Sequence, residues 1–189
     1  VVPAIKGEKI LCLGITEPDA GSDVAGIKTT AVRDGDEWVI NGHKWFTSQG
    51  EGAPFAIVMC ASELDQPPHR RMSQIVVPAN TPGFEIVRPV PVMGETEGSH
   101  AEVRYTDVRV PLTNILGEAG GGFRIAQKRL GPGRIHHCMR WLGQMQRAFE
   151  LMIEYSLQRE VYGSTLSEKQ TVQNWIADSY VEIQASRAL

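Results

Sequence analysis

The residues with the most chemical potential gather in one short run. Leu13-Gly14-Ile15-Thr16-Glu17-Pro18-Asp19-Ala20-Gly21-Ser22-Asp23 leaves an apolar stretch and packs small, hydroxyl and acidic side chains into a turn. Free backbone N–H groups and hydroxyls in such a turn suit an anionic or heteroaromatic ligand. Taken alone, the run is also an ordinary decorated loop. Other spacings exclude chemistry. Neither G-x-G-x-x-G nor G-x-x-x-x-G-K-[ST] occurs, so Rossmann and P-loop nucleotide binding have no support, and Gly120-Gly121-Gly122 before Phe123 reads as a flexible helix entry. Adjacent His136 and His137 would point about 100° apart on a helix, whereas helical metal ligands need i, i+3 or i, i+4 spacing, so no metal site is expected. Cys12, Cys60 and Cys138 are odd in number and lack Cys-x-x-Cys pairing, which fits a reducing compartment better than a disulfide framework.

Composition narrows the classes further. The 189 residues are 42% hydrophobic and 22% charged with a net charge of −3, so no positive field draws in nucleic acid or anionic lipid. The longest apolar run, Phe55 to Ala61, falls far below the roughly 20 residues that span a bilayer, and no membrane span is expected. The opening Val1-Val2-Pro3-Ala4-Ile5-Lys6 has no starting Met and no signal-peptide pattern, as expected of a stretch interior to a longer protein.

The elements that must position the loop divide in two. Alternation and turn dipeptides fill residues 9 to 116, and a helical period follows, with the join near Gly117 to Gly122. Asp34-Gly35 and Asn41-Gly42 separate the strand-like runs Ile27 to Arg33, Glu37 to Ile40 and His43 to Thr47, which predicts two hairpins of an antiparallel meander. Phe55 to Cys60 and Gln74 to Val77 are apolar enough for strands buried on both faces, and Gly83 to Val90 and His100 to Val110 add two more. Six or more strands without helices between them imply a barrel or sandwich. Beyond Gly122, Ile135, Met139, Leu142, Phe149, Met152, Ile153 and Leu157 form one stripe of a long amphipathic helix, which Gly131-Pro132-Gly133 is expected to kink or restart. A break at Tyr162-Gly163-Ser164 precedes a second helix from about Leu166. Two such helices with no third leave a large apolar surface to be buried against something further.

Three motifs carry a resemblance that covers essentially the whole chain. Thr16-Glu17-Pro18 with Ala20-Gly21-Ser22-Asp23, Ile40-Asn41-Gly42-His43-Lys44, and Val108-Arg109-Val110-Pro111 with Asn114-Ile115-Leu116-Gly117 resemble, in this order and spacing, the FAD-dependent acyl-CoA dehydrogenases. Leu130 to Arg140 further resembles the branch that contains human family members ten and eleven. The resemblance implies an α+β multi-domain fold. An antiparallel β-barrel middle domain would occupy residues 1–117, and the first two helices of an up-down four-helix C-terminal domain residues 118–189, about half of a family subunit.

The same resemblance implies site residues. Leu13, Ile15 and Thr16 would lie along the flavin ring, with Thr16 at its pyrimidine edge, and Ser22 would meet the pyrophosphate and the acyl-CoA. Phe46 stands where many relatives have a Trp over the isoalloxazine, and Ser48 where a Thr hydroxyl faces N5; a one-residue slip would put Trp45 or Thr47 there. Core packing is the alternative for each aromatic. Arg159 matches an arginine that reaches the FAD pyrophosphate of a neighbouring subunit, beside Val161, while Tyr162 replaces a Phe next to the adenine half and Gln170 matches a further cofactor contact. Without the resemblance, Arg159 and Gln170 would be solvated helix-end residues. Arg134 matches an arginine near the acyl-CoA, with an ion pair inside the helical domain as its alternative.

Family chemistry removes the substrate's α-proton with a carboxylate while the β-hydrogen leaves as hydride to FAD. Most relatives place that carboxylate beyond the last residue of this chain and a minority at the position of Gly133, so no catalytic residue is assigned and this stretch is expected to be inactive alone. The resemblance implies an acyl-CoA substrate, a homodimer or homotetramer, and an electron-transfer flavoprotein as acceptor. It places the protein in a bacterial cytoplasm or a eukaryotic mitochondrion or peroxisome. An acyl-CoA oxidase of the same fold and a non-catalytic interaction module are the competing readings.

Overall fold

The structure, a computed structural model, describes residues 2–189, the side chains of residues 96–98 lying outside that description. Residues 1–127 and 128–189 form two compact units. The first opens with a single helical turn, α1 (Val2–Ile5), and contains β1 (Cys12–Gly14), β2 (Thr30–Asp34), β3 (Glu37–Ser48), β4 (Phe55–Ala61), β5 (Met72–Pro78), β6 (Phe84–Val92) and β7 (Glu95–Pro111). They form one seven-stranded sheet in the order β1-β4-β2-β3-β7-β6, with β5 on the other side of β4.

Two expectations change here. The sheet is mixed, because β4 runs parallel to β1 (Leu13 opposite Ile57) and meets β2 in parallel at Thr30 and Ala61. Its pairing also does not close into a barrel: β6 ends the path at one side, β1 and β5 at the other. The sheet still curls, for a Cβ added to Gly14 of β1 would lie 3.3 Å from Lys44 of β3 and 3.6 Å from the Tyr105 hydroxyl of β7. Inward residues of β1, β2, β3, β4, β5 and β7 build one core, including Cys12, Ala31, Trp38, Ile40, Val58, Ile75, Val103 and Val108, with Phe84 and Ile86 of β6 packed against it. Burying these apolar groups is the main stabilising term, about 25 cal/mol per Å² removed from water. A smaller cluster, Ala20, Ile27, Met59, Met72 and Ala126, packs the loop after β1 and the first turn of the following helix onto the opposite face of β4 and β5.

Asp34 and Glu37 pair across the two-residue loop Gly35-Asp36, with Gly35 at φ 60°, so the first hairpin forms as expected. Asn41-Gly42 does not turn. β3 runs straight through it, because a Cβ on Gly42 would collide with Thr29 and because Asn41 is engaged across the sheet, its Nδ2 donating to Asp107 Oδ1 at 3.0 Å and its Oδ1 accepting from Asp107 N at 2.9 Å. The register shifts there, with one β3 residue facing two on β7, and Asp107 takes up the bulge at φ 47°.

In the second unit, α2 (Gly122–Gln158) begins within the first unit and continues unbroken past Pro132. The expected restart does not occur: proline removes one N–H from the ladder, and the helix on either side is long enough to continue across it. The predicted break is a two-residue hairpin, β8 (Glu160–Val161) and β9 (Ser164–Thr165), turned by Tyr162 and Gly163 at φ 51° and 76°. Leu166–Glu168 then forms a single 3₁₀ turn under a Thr165–Glu168 capping box, and an extended Lys169 delays the second long helix, α3 (Gln170–Ala188), to Gln170.

Candidate functional site

β3 does not keep its alternation to the end. Trp38, Ile40 and Lys44 point inward, and continued alternation would bury Phe46. Between Lys44 (opposite Val103) and Thr47 (opposite Ala101), however, two β3 residues face the single β7 residue Glu102. This bulge puts Phe46 at φ 52° and reverses the phase, so Thr47 is buried while Phe46, 42% exposed, and Ser48 stay on the outside. A left-handed bulky residue carries a strain of order 1–3 kcal/mol and persists only where its surroundings hold it. Phe46 is therefore not a core aromatic, whereas Thr47 is buried. Thr47 Oγ1 has no hydrogen-bond partner.

The loop after β1 is fastened to this bulge. Trp45 N donates to Thr16 O at 3.0 Å. Lys44, fully buried, donates from Nζ to Ile15 O at 2.9 Å and to Glu17 Oε1 at 2.7 Å. Glu17, 5% exposed, also accepts from Lys28 N at 2.6 Å and Thr29 N at 2.9 Å. Burial alone would raise the Glu17 carboxyl, but the Lys44 charge and these hydrogen bonds outweigh it and hold the group below the usual carboxylate range. Burial likewise draws Lys44 below its ordinary value against the pull of Glu17. On the other side of the bulge, Glu102 is bound by His43 Nε2 at 2.8 Å and Arg88 Nε at 2.7 Å. Both buried carboxylates near the bulge are thus committed to ion pairs.

Leu13 lies half-buried in β1, and Ile15 and Thr16 half-buried just beyond it, so Leu13, Ile15, Thr16, Phe46, Thr47 and Ser48 are gathered in one region of the first unit. Ser22 is exposed farther along the same loop. In the second unit, Arg159 precedes the β8–β9 hairpin, Val161 ends β8, Tyr162 at the hairpin tip is fully exposed, and Gln170 begins α3, where its Nε2 donates to Asn174 Oδ1 at 3.1 Å. Leu166 N donates to Arg159 O at 2.8 Å and holds the hairpin base to the 3₁₀ turn. Arg134 stands apart on α2, 25 residues before Arg159 and roughly 37 Å along the helix at 1.5 Å per residue. It is exposed, without an ion pair among the described residues, and a Cβ on neighbouring Gly131 or Gly133 would meet nothing within 4 Å.

Glu17, Lys44 and His100 shape the site without being among the site residues that the resemblance implies. Lys44 carried a legible signal, a charge in phase with the inward Trp38 and Ile40, which demands a buried partner. His100 carried none, since its contact with Ser48 (Oγ to Nδ1, 2.9 Å) depends on pairing across 52 residues. Burial pushes the thiols of Cys12 and Cys60 up to about 11 and 12, so neither is a nucleophile at neutral pH. An apolar cavity of about 930 Å³ opens on the outer face of β1, β4 and β5 against Leu11, Ile57 and Val76, with Leu13 in the same cross-strand row as Ile57 and Val76. Among the described residues there is no cluster of potential metal ligands, and no helix is long and apolar enough to cross a membrane.

An exposed aromatic at Phe46, with Ser48 on the same outer side of β3 and Thr16 tied to Trp45 through its carbonyl, is a set of residues that fits a flavin ring. The chain is 47% identical over 192 residues to the probable acyl-CoA dehydrogenase FadE2 of Mycobacterium tuberculosis, covering 99% of this chain and 47% of that protein. It is 43% identical over 195 residues to acyl-CoA dehydrogenase family member 11 of Homo sapiens, covering 99% and 25%. The crystal structure of an acyl-CoA dehydrogenase from Geobacillus kaustophilus superposes with a TM-score of 0.89 at 37% identity, over 98% of this chain and 49% of that one. The chain thus spans about half the length of the bacterial relatives it matches. With residues 12–108 matching the family described as acyl-CoA dehydrogenase, middle domain, and residues 120–189 the C-terminal domain, the chain belongs to the acyl-CoA dehydrogenase family.

Proposed function

We propose that this chain supplies the flavin-facing surface, and part of the acyl-CoA-facing surface, of an FAD-dependent dehydrogenase that introduces an α,β double bond into an acyl-CoA thioester. The observation that carries the reading is the bulge at residues 45 and 46, which keeps Phe46 and Ser48 outside while a buried ion pair fastens Thr16 beside them. Bound FAD supplies the two-electron acceptor.

The chain's own residues do the rest. Phe46 offers a stacking face, Ser48 a hydroxyl toward N5, and Thr16 a hydrogen-bonding group to the pyrimidine edge, with Leu13 and Ile15 as apolar floor. Ser22 contributes a hydroxyl for the pyrophosphate and the acyl-CoA, and Arg134 a cation for the acyl-CoA. Arg159, Val161, Tyr162 and Gln170 serve the FAD of a neighbouring subunit, which makes a homodimer or homotetramer part of the site. An electron-transfer flavoprotein then reoxidises the enzyme. Glu17 and Glu102 are both held in ion pairs, so neither is assigned as the base that takes the α-proton.

The test is to mix the full-length protein anaerobically with a panel of acyl-CoAs and follow the oxidised-flavin absorbance. Bleaching by some of them is expected, and the chain lengths that bleach fastest define the substrate. Bound flavin that no thioester bleaches would overturn the dehydrogenase reading.

A further inference from the structure

Ser48 is not a free hydroxyl. It ends β3 directly opposite His100 of β7, and its Oγ lies 2.9 Å from His100 Nδ1. His100 is held in register on both edges of its strand. Val90 of β6, itself buried, pairs with His100 from the other edge, and the Phe46 ring meets it edge-on with centroids 6.3 Å apart. The chain just beyond is fixed as well, since Gln49, at φ 62°, donates from its backbone N to Ser99 O at 2.6 Å. Phe46, Ser48 and His100 are therefore one assembly, built on the bulge and on a strand pair.

We propose that His100 is a positioning residue: its Nδ1 accepts the hydrogen bond of the Ser48 hydroxyl and so leaves Ser48 with only lone pairs to offer the flavin. This rests on the placement of Ser48 toward N5 proposed above. A neutral imidazole in water carries its proton preferentially on Nε2, which leaves Nδ1 as the acceptor. A serine hydroxyl has one proton and two lone pairs, and a hydroxyl whose proton is engaged can only accept. Flavin N5 is an acceptor when oxidised and an N–H donor when reduced. An acceptor-only Ser48 thus favours the reduced form, while a Ser48 freed from His100 turns its proton outward and favours the oxidised form. The role is electrostatic and directional; His100 itself need not touch the cofactor.

The experiment is the midpoint potential of the flavin in the full-length holoprotein at one fixed pH, for wild type, His100→Ala, His100→Asn, Ser48→Ala and the double variant Ser48→Ala/His100→Ala. His100→Ala is expected to shift the equilibrium toward oxidised flavin by about tenfold, the worth of one hydrogen bond, which is about 30 mV for a two-electron couple. His100→Asn, whose side-chain oxygen replaces the Nδ1 acceptor, restores the wild-type value. In the Ser48→Ala background the His100 substitution has no further effect, which a merely structural role would not produce. An unchanged potential in His100→Ala, or an equal shift with and without Ser48, overturns the proposal while leaving the flavin reading intact. If His100→Ala fails to load FAD, His100→Asn decides: a wild-type potential supports the proposal and a shifted one overturns it. A wild-type protein that binds no FAD overturns the flavin reading and this proposal together.

Discussion

The two units solve the same problem to different depths. In the first, a curled sheet encloses its own core, and even charged groups such as Lys44 and Glu17 are buried and matched. In the second, the helices leave many apolar side chains in the open: Ile135, Met139, Leu151, Leu157, Trp175 and Val181 are all exposed, and Ile183 is the one buried residue of α3. Apolar surface on that scale marks a face built to be covered. The proposed site divides along the same line. Phe46, Ser48 and Thr16 are held by contacts inside their own unit, whereas Arg134, Arg159 and Tyr162 stand on an exposed helix and hairpin.

If the first unit is the self-sufficient one, its buried charges are where damage should be greatest. Lys44→Met leaves Glu17 buried without its cation, and a loss of about 3–5 kcal/mol of unfolding free energy is expected, read as the shift of a denaturant midpoint. Adding Glu17→Leu to that variant removes the stranded charge and should recover part of the loss. A cost near zero for the single substitution would break the comparison. A smaller effect, about 1–3 kcal/mol, is expected for Gly42→Ala, because the new methyl overlaps Thr29, a fully buried neighbour with no room to retreat.

How far the sequence could be read follows the same division between local and distant causes. Strand positions, the first hairpin and both long helices were legible, because alternation and helical period are properties of neighbouring residues. Asn41-Gly42 misled for a physical reason: a dipeptide suited to a turn is equally suited to a bulge, and only Thr29 and Asp107, distant in sequence, decide between them. The parallel pairing of β1 with β4 was invisible for a like reason, since it joins segments more than 40 residues apart. Around the site, motif resemblance picked out Phe46 and Ser48 but could not say which of residues 45 to 48 face outward. That depends on one extra residue in the ladder, and no local pattern announces a bulge.

The Glu17–Lys44 pair also predicts how the first unit responds to acid. Glu17 is held below the ordinary carboxyl value of about 4.3 in the folded state, so between the two values the unfolded chain binds more protons and stability rises with pH. The contribution is therefore fully present above about pH 4.3 and is lost as pH falls through the lower folded value. A Glu17→Gln variant should lose this part of the slope in a series of denaturation midpoints taken from pH 6 downward. An unaltered slope would mean that the pair contributes no proton-linked stability.

The smallest effect has the opposite sign and comes from the second unit. Gly143 lies on the exposed surface of α2, and a Cβ built there meets nothing within 4 Å. Alanine at such a position adds no clash and removes backbone freedom from the unfolded chain, so Gly143→Ala should stabilise the helix by about 0.5–1 kcal/mol. The gain would appear as a higher midpoint in a thermal scan of helical circular dichroism. The same chemical change, one methyl in place of one hydrogen, thus destabilises at position 42 and stabilises at position 143. The sign is decided by whether the surroundings are already complete. A destabilising Gly143→Ala in the full-length protein would show that this face of α2 is closely packed there, placing a partner element against a surface that is open in this chain.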